Sequence, residues 1–443
     1  MILIYAPISS SRLQYSVAFI FKELLGLDCN ITIDSEEFKN HAGVGINYSS
    51  TPIKENEFRI PNCELLFENG IKEQPLICFE TNGYKAFYKT IAGDFSFDIF
   101  AATFYLLTRY EEYLPHTKDM YGRYAHENSL AFKEGFLHLP LINIWAKDLI
   151  TVIKKKFPAP EYQYKAQYSI FRFKPTYDID IAFSYKHKGF VRNIGGFLKS
   201  PSVERIKVLL GLQKDPFDSF SWLNELHQKN KLAAIYFFLV AEKNSGYDKN
   251  ILPNQDVMWR LVKYHAKKYT VGIHPSWQSG DDFKLLKKEI EQLGAMVQVA
   301  NSAPTQSRQH YIRFNLPEGY QKLIEAGITD DHSMGYGSIN GFRASVASSF
   351  YWYDLQHEQY TDLRIHPFCF MDANAHYEQH FSAQQAYEEL LQYYKACKEV
   401  NGTLITIWHN NFLGTAKEFA GWRDMYEKFV EVVRRESSMV NSE

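Results

Sequence analysis

Apolar positions in the second half of the chain fall into short unbroken runs separated by amphipathic stretches. Residues 232–240 are apolar throughout, as in a strand buried on both faces. Residues 252–268 have helical spacing, with Pro253 suited to a first turn, and residues 269–273 form the next short run. Phe283, Leu286, Ile290 and Leu293 make one helical stripe. Asp281 or Asp282 can cap that helix, and Gly294 is its expected stop. Strands are expected at 168–173, 296–300, 363–365 and 403–408. Helices are expected at 318–326, 383–400 and 417–435, with Gly327 ending the first. Strand then helix, repeated from residue 165 onward, predicts a (β/α) barrel or a doubly wound sheet.

The N-terminal stretch is patterned differently. Short strands are expected at 1–5, 29–33, 43–48 and 76–79, with a core helix over 15–27. Phe100, Phe104, Leu107 and Tyr110 predict a helix over 98–113, and Tyr110-Glu111-Glu112-Tyr113 reads as its solvated face. A closing helix over 144–156 runs into Pro158-Ala159-Pro160. The expected organisation is therefore a smaller α/β domain, residues 1–160, before a barrel domain, residues 165–443.

Composition removes several classes. With 49 Lys+Arg against 51 Asp+Glu the formal charge is −2, which argues against a nucleic-acid partner bound through bulk charge. Five scattered cysteines show no C-x-x-C spacing, so neither a disulfide framework nor a thiolate zinc site is expected. The N-terminus lacks a basic region before its apolar residues, and no uncharged apolar run approaches the roughly 18 residues of a membrane span. A cytoplasmic protein without a membrane span is the expectation. No G-x-G-x-x-G or Walker-type loop occurs. Composition leaves the oligomeric state open.

The chemistry gathers at strand ends. The strand at 168–173 leads into Lys174-Pro175-Thr176-Tyr177-Asp178-Ile179-Asp180. The strand at 269–273 leads into His274-Pro275-Ser276-Trp277-Gln278, and that at 403–408 into His409-Asn410-Asn411. Any one of these has an ordinary explanation in turn chemistry or a hydrogen-bonded histidine. Together, at the C-terminal ends of barrel strands, they bring two carboxylates and two histidines to one rim. Carboxylate and imidazole ligands with an open position suit a divalent metal, and a free carboxylate beside it can serve as a base.

TYDID (176–180), GIHPS (272–276), Arg308-Gln309-His310-Tyr311 and ITIWH (405–409) resemble, in order, motifs of the polysaccharide deacetylase superfamily (NodB homology, carbohydrate esterase family 4). GIHPSW, SRQHYIRF, GITDDHSMGY and GFRAS resemble more closely a Bacteroidetes-type branch with an uncharacterised N-terminal α/β domain. The resemblance implies a distorted (β/α) barrel of NodB-homology type. It implies Asp178 as general base, Asp180 and His274 as metal ligands, and His409 as the acid for the leaving amine. Arg308 would hold the base carboxylate, and the Tyr311 amide would bind the developing oxyanion.

The family's second metal histidine falls on Gln278, a poor zinc ligand. His310, where the family has proline, is the expected third ligand, with His332 in reserve. Asp331 is expected to tune His409, and Arg343, Asp354 and Asp372 sit on predicted rim loops, Arg343 as a substrate contact. The expected function is removal of N-acetyl groups from a sugar or glycan by a hydrolase using one divalent ion, zinc first. The alternatives are hydrolysis of another non-peptide C–N bond, such as a small cyclic amide or ureide, and a degenerate glycan-binding or scaffold module.

Overall fold

The computed structural model describes residues 1–158, 170–188, 202–297 and 304–440. In the N-terminal part, β1 (Ile2–Tyr5), β2 (Cys29–Thr32), β3 (Gly45–Asn47) and β4 (Phe58–Arg59) make a parallel sheet in the order β2-β1-β3-β4. A hairpin of β5 (Phe79–Thr81) and β6 (Tyr84–Ala86) follows, slightly later than the strand expected at 76–79. The helix Leu141–Lys156 closes this part.

The second sheet has nine strands. They are β7 (Arg172–Ile179), β8 (Ile235–Phe238), β9 (Thr270–Ile273), β10 (Gln306–Ser307), β11 (Asp330–Asp331), β12 (Phe350–Asp354), β13 (Gln359–Ile365), β14 (Phe370–Met371) and β15 (Thr403–His409). Their order is β12-β13-β11-β10-β9-β8-β7-β15-β14, parallel throughout except for the β12–β13 hairpin. Without β12 this is the order of a (β/α) ring cut between β13 and β14. Among the described residues those two strands are not paired, so ladder hydrogen bonds do not close the ring.

The sheet is nonetheless strongly curled. Arg308, just after β10, donates to Asp178 on β7 at 2.9 Å, although β8 and β9 lie between them. On a flat sheet three strand spacings of about 4.8 Å would separate the two strands by about 14 Å. Strand alternation puts Thr176 and Asp178 inside the curl. Tyr177 faces outward, packing on Tyr236, His227 and Tyr426. Gly272 makes room inside: a Cβ there would lie 2.6 Å from the Phe237 ring, over which the Arg308 guanidinium sits at 4.4 Å.

Several expected boundaries move. β7 begins at Arg172 and carries Asp178 within the strand, while residues 168–169 lie outside the described residues. The helix Phe283–Val297 runs through Gly294 and takes the first two residues of the strand expected at 296–300. Met296 and Val297 are helical, residues 298–303 lie outside the described set, and the strand is Gln306–Ser307. A single glycine inside an amphipathic stripe lowers helix propensity by about 1 kcal/mol, too little to stop it. The helix expected over 15–27 is instead Ser11–Val17 continuing as a π-helix over Ala18–Leu24.

The largest correction concerns residues 98–113. The helix Ile99–Leu107 ends before Arg109, which adopts a left-handed backbone, and Tyr110–Tyr113 form a separate 3₁₀ turn. Glu111 and Glu112 are not a solvated face but are buried. Arg109 donates to both at 2.7 Å, and Arg343, from the second part, donates to Glu112 Oε1 at 2.9 Å. The β12–β13 hairpin packs on the same part through Tyr353, which meets Tyr15 and Phe104 at ring distances of 5.1 and 5.2 Å. The two parts thus share a buried ionic and aromatic joint.

Burial opposes the Glu112 charge, yet Arg343 and Arg109 hold its pKa down at about 2. Glu112→Gln should therefore cost on the order of 3–5 kcal/mol, the usual cost of breaking a buried pair, read by urea unfolding at pH 7. The carboxylate's contribution is complete above its ordinary range near 4.5 and fades as pH falls towards about 2. The stability gap between wild type and Glu112→Gln should narrow over that interval.

Candidate metal centre

Three strand ends meet at the Asp180 carboxylate. β7 delivers Asp180 one residue beyond its end, β9 delivers His274, and the turn after β10 delivers His310. His274 Nε2 lies 3.1 Å from Asp180 Oδ1, and His310 Nε2 lies 3.5 Å from Oδ2. One ligand atom from each of the three residues falls within a 4.8 Å group. Among the described residues it is the only such group.

The outer nitrogens of both imidazoles are fixed, which turns Nε2 inward in each case. His274 Nδ1 bonds to the Arg308 carbonyl, and His310 Nδ1 to Asp248 Oδ1 at 2.9 Å. Asp248 is itself held by the Trp277 amide at 2.9 Å and by the Gln278 amide nitrogen at 3.1 Å. Gln278, at the position where the motif resemblance led one to expect a histidine, therefore points at the carboxylate behind His310 and not at the cluster. Outer hydrogen bonds of this kind set ligand orientation in metal sites.

The residues present fit a divalent ion. Asp180 Oδ1 is buried and has only the His274 Nε2 contact at 3.1 Å, off hydrogen-bond geometry, which leaves a lone pair for a cation to fill. Burial works against the Asp180 charge, but His310 and His274 hold its pKa well below the usual carboxylate range. Burial also works against a charged His310, yet Asp180 and Asp248 push its pKa up to about 9. Two imidazoles and a carboxylate are a donor set known from catalytic zinc sites.

Two further charge pairs flank the cluster. On one side Arg308 holds Asp178 Oδ1, also donating to Thr176 Oγ1 at 2.6 Å and to the His332 carbonyl at 3.0 Å. Asp178 Oδ2 is left facing His274 Nε2 at 3.8 Å. On the other side His409, level with Asp178 on the neighbouring strand, has its Nε2 3.5 Å from Asp180 Oδ2. Its Nδ1 bonds to Asp372 Oδ1 at 2.6 Å, and its amide donates to Asp372 Oδ2 at 2.7 Å. Burial would lower the His409 pKa, but Asp372, Asp180 and Asp178 raise it to about 10. Asp178, Asp180, His274, His310 and His409 line a cavity of about 590 Å³, within the usual range for small-molecule sites.

Tyr311 stands at the mouth of that cavity with a left-handed backbone (φ 59°, ψ 13°), followed by Ile312 at φ 54°. Such non-glycine residues cost on the order of 1–3 kcal/mol each and concentrate at functional sites. Two other expected site residues lie elsewhere. Arg343 is buried against Glu112 and the Gly335 carbonyl, away from the cavity. Asp331 accepts from the Ser333 amide and hydroxyl at 2.8 and 2.9 Å and does not reach His409. Burial raises the Asp331 pKa to about 6. The place expected for Asp331 is taken by Asp372, which follows the short strand β14. His332, the reserve ligand, instead stacks on His366 at 4.4 Å and bonds to Gln306.

Residues 2–158 match the model of a family of unknown function (DUF7033). No curated protein matches the chain. Among solved structures, the chain is similar to a presumed polysaccharide deacetylase from Mycobacterium smegmatis, with 12% identity and a TM-score of 0.38, covering 60% of this chain and 84% of that one. A probable polysaccharide deacetylase from Pseudomonas aeruginosa PAO1 gives 11% identity and a TM-score of 0.37, covering 59% and 84%. A 4-alpha-glucanotransferase from Thermococcus litoralis gives 12% and 0.35, covering 60% of this chain and 37% of that one. Similarity at that level carries no functional argument. Among the described residues, no helix is long and apolar enough to cross a membrane.

Zinc titrated into chelator-stripped protein should find the cluster. Asp248→Asn should weaken binding by about 10–100-fold, the usual cost of losing an outer partner, and His310→Ala by more than that. A ligand imidazole must be neutral, so uptake below pH 9 should displace the His310 proton. Affinity should therefore rise with pH and level off above about 9, with proton release read from calorimetry in buffers of different ionisation enthalpy.

Proposed function

We propose that the protein is a metal-dependent hydrolase that removes N-acyl groups, N-acetyl first, from an amino sugar or glycan. The observation that carries this reading is one cavity lined by Asp180, His274 and His310 together with Asp178, which Arg308 holds, and His409, which Asp372 holds. The motif resemblance supports it independently. In the same reading the chain divides near residues 160–165, and the second part is a distorted, open barrel of NodB-homology type.

Asp180, His274 and His310 would hold one divalent ion, zinc being first choice for two imidazoles and a carboxylate. Bound there, the ion supplies Lewis acidity, polarising a carbonyl oxygen and acidifying water. Asp178 takes the proton of the attacking water through Oδ2, because Arg308 occupies Oδ1. The Tyr311 amide is the proposed donor to the developing oxyanion. His409, whose Nδ1–H is committed to Asp372, gives its Nε2 proton to the departing nitrogen. One water is consumed, a C–O bond forms, the C–N bond breaks, and a carboxylate and an amine leave.

The test is acetate release from acetylated amino sugars and from simple linear and cyclic amides. Asp178→Asn should retain metal and fold yet lose about 10²–10⁴-fold in turnover, the range for a positioned base, and His409→Ala should behave alike. Turnover of cyclic amides alone would move the substrate class. A protein that binds no metal and turns over nothing would be the non-catalytic module.

A further inference from the structure

The N-terminal part reaches into the cavity. Residues 118–124 form a small loop closed by a bridge between Lys118 and Tyr124, and Met120, Tyr121 and Arg123 from it line the same space as Asp180 and His409. Arg123 ties the loop across the joint. Its Nη1 donates to the Tyr311 carbonyl at 2.6 Å, and its Nε donates to Asp119 at 2.6 Å. The guanidinium passes so close to Gly337 that a Cβ there would lie 1.9 Å from Nη1. The loop is therefore a clamped wall, attached to the residue with the left-handed backbone at the mouth.

Tyr121 stands on that wall with the Arg123 guanidinium over its ring at 4.7 Å, and of the three rings near it only Tyr311 also lines the cavity. The Tyr121 centroid lies 5.4 Å from Tyr311, 5.8 Å from Tyr247 and 6.1 Å from Trp277. Tyr247 and Trp277 are 4.2 Å apart, and Tyr247 and Tyr311 remain more than a third exposed. Each ring comes from a different loop. Partly exposed aromatic rings with polar tips suit a ligand that is apolar on one face and hydroxylated at its edge. A pyranose ring is such a ligand. The nearer floor of the cavity, at the Asp180 cluster, is where the acyl group must lie.

We propose that the N-terminal part completes the substrate site, with Tyr121 forming a platform for the sugar ring next to the one that carries the acyl group. A saccharide long enough to reach the N-terminal wall is then held more tightly than a single ring. This rests on the hydrolase reading given above. Arg123 acts as a positioning residue, holding the wall and Tyr311 in register.

The test measures binding, so that it does not depend on turnover. Calorimetry on the Asp178→Asn protein compares the β-1,4-linked disaccharide of N-acetylglucosamine with the monosaccharide. The disaccharide should bind more tightly, and adding Tyr121→Leu should reduce that advantage about tenfold. Tyr121→Phe, which keeps the flat face, should preserve it. Tyr121 is only half-buried, so the leucine variant keeps apolar bulk without disturbing the core. An unchanged preference in Tyr121→Leu, or equal affinity for both sugars at the start, overturns the platform. Preferential disaccharide binding without acetate release by wild type overturns the hydrolysis and leaves the platform standing.

Discussion

Everything at the centre of this protein turns on the Asp180 carboxylate, a single charge with three imidazoles around it. Nε2 atoms of His274, His310 and His409 approach it at 3.1, 3.5 and 3.5 Å. Each histidine is backed differently, by a main-chain carbonyl, by Asp248 and by Asp372. His310 and His409 are both backed by carboxylates, so what separates those two is place, His310 inside the donor group and His409 outside it. An imidazole backed by a carbonyl and one backed by a carboxylate sit within one donor group with Asp180. The third stands outside that group on its own carboxylate, with a pKa raised to about 10 despite burial. In this account it is the proton donor.

The curl of the second sheet makes the cluster possible, and the Arg308–Asp178 pair spans it. The guanidinium lies over Phe237, and Gly272 leaves room for that ring, since a Cβ there would lie 2.6 Å from it. The N-terminal part is not an independent appendage. Glu112, placed between Arg109 and Arg343, puts a buried charge network across the joint, and Arg123 carries the same joint to the mouth of the cavity. Fold and site therefore share supports.

Much of this was readable from the sequence where the signal was local. Apolar runs found β8 and β15, and the polar residues at strand ends singled out Asp178, Asp180, His274 and His409, which the fold brings to one cavity. His310 was reachable only because Gln278 stood in the wrong chemistry for a ligand. What stayed hidden depends on distant partners. Glu111 and Glu112 look like a solvated face because nothing nearby reveals Arg343, more than two hundred residues on. Asp248 sits in a polar loop without periodicity, and only its place after the run at 232–240 marks it as another rim residue. Asp331 and Asp372 carry the same strand-end signal, so pattern alone does not choose between them. The distances do.

The central claim is that one divalent ion sits between Asp180, His274 and His310, with His409 outside the coordination sphere. X-ray absorption at the zinc edge of the loaded protein tests this directly. The account predicts a first shell holding two imidazole nitrogens and oxygen donors at about 2.0–2.2 Å, unchanged in His409→Ala. A spectrum requiring three imidazoles, or one that loses an imidazole in His409→Ala, would contradict it.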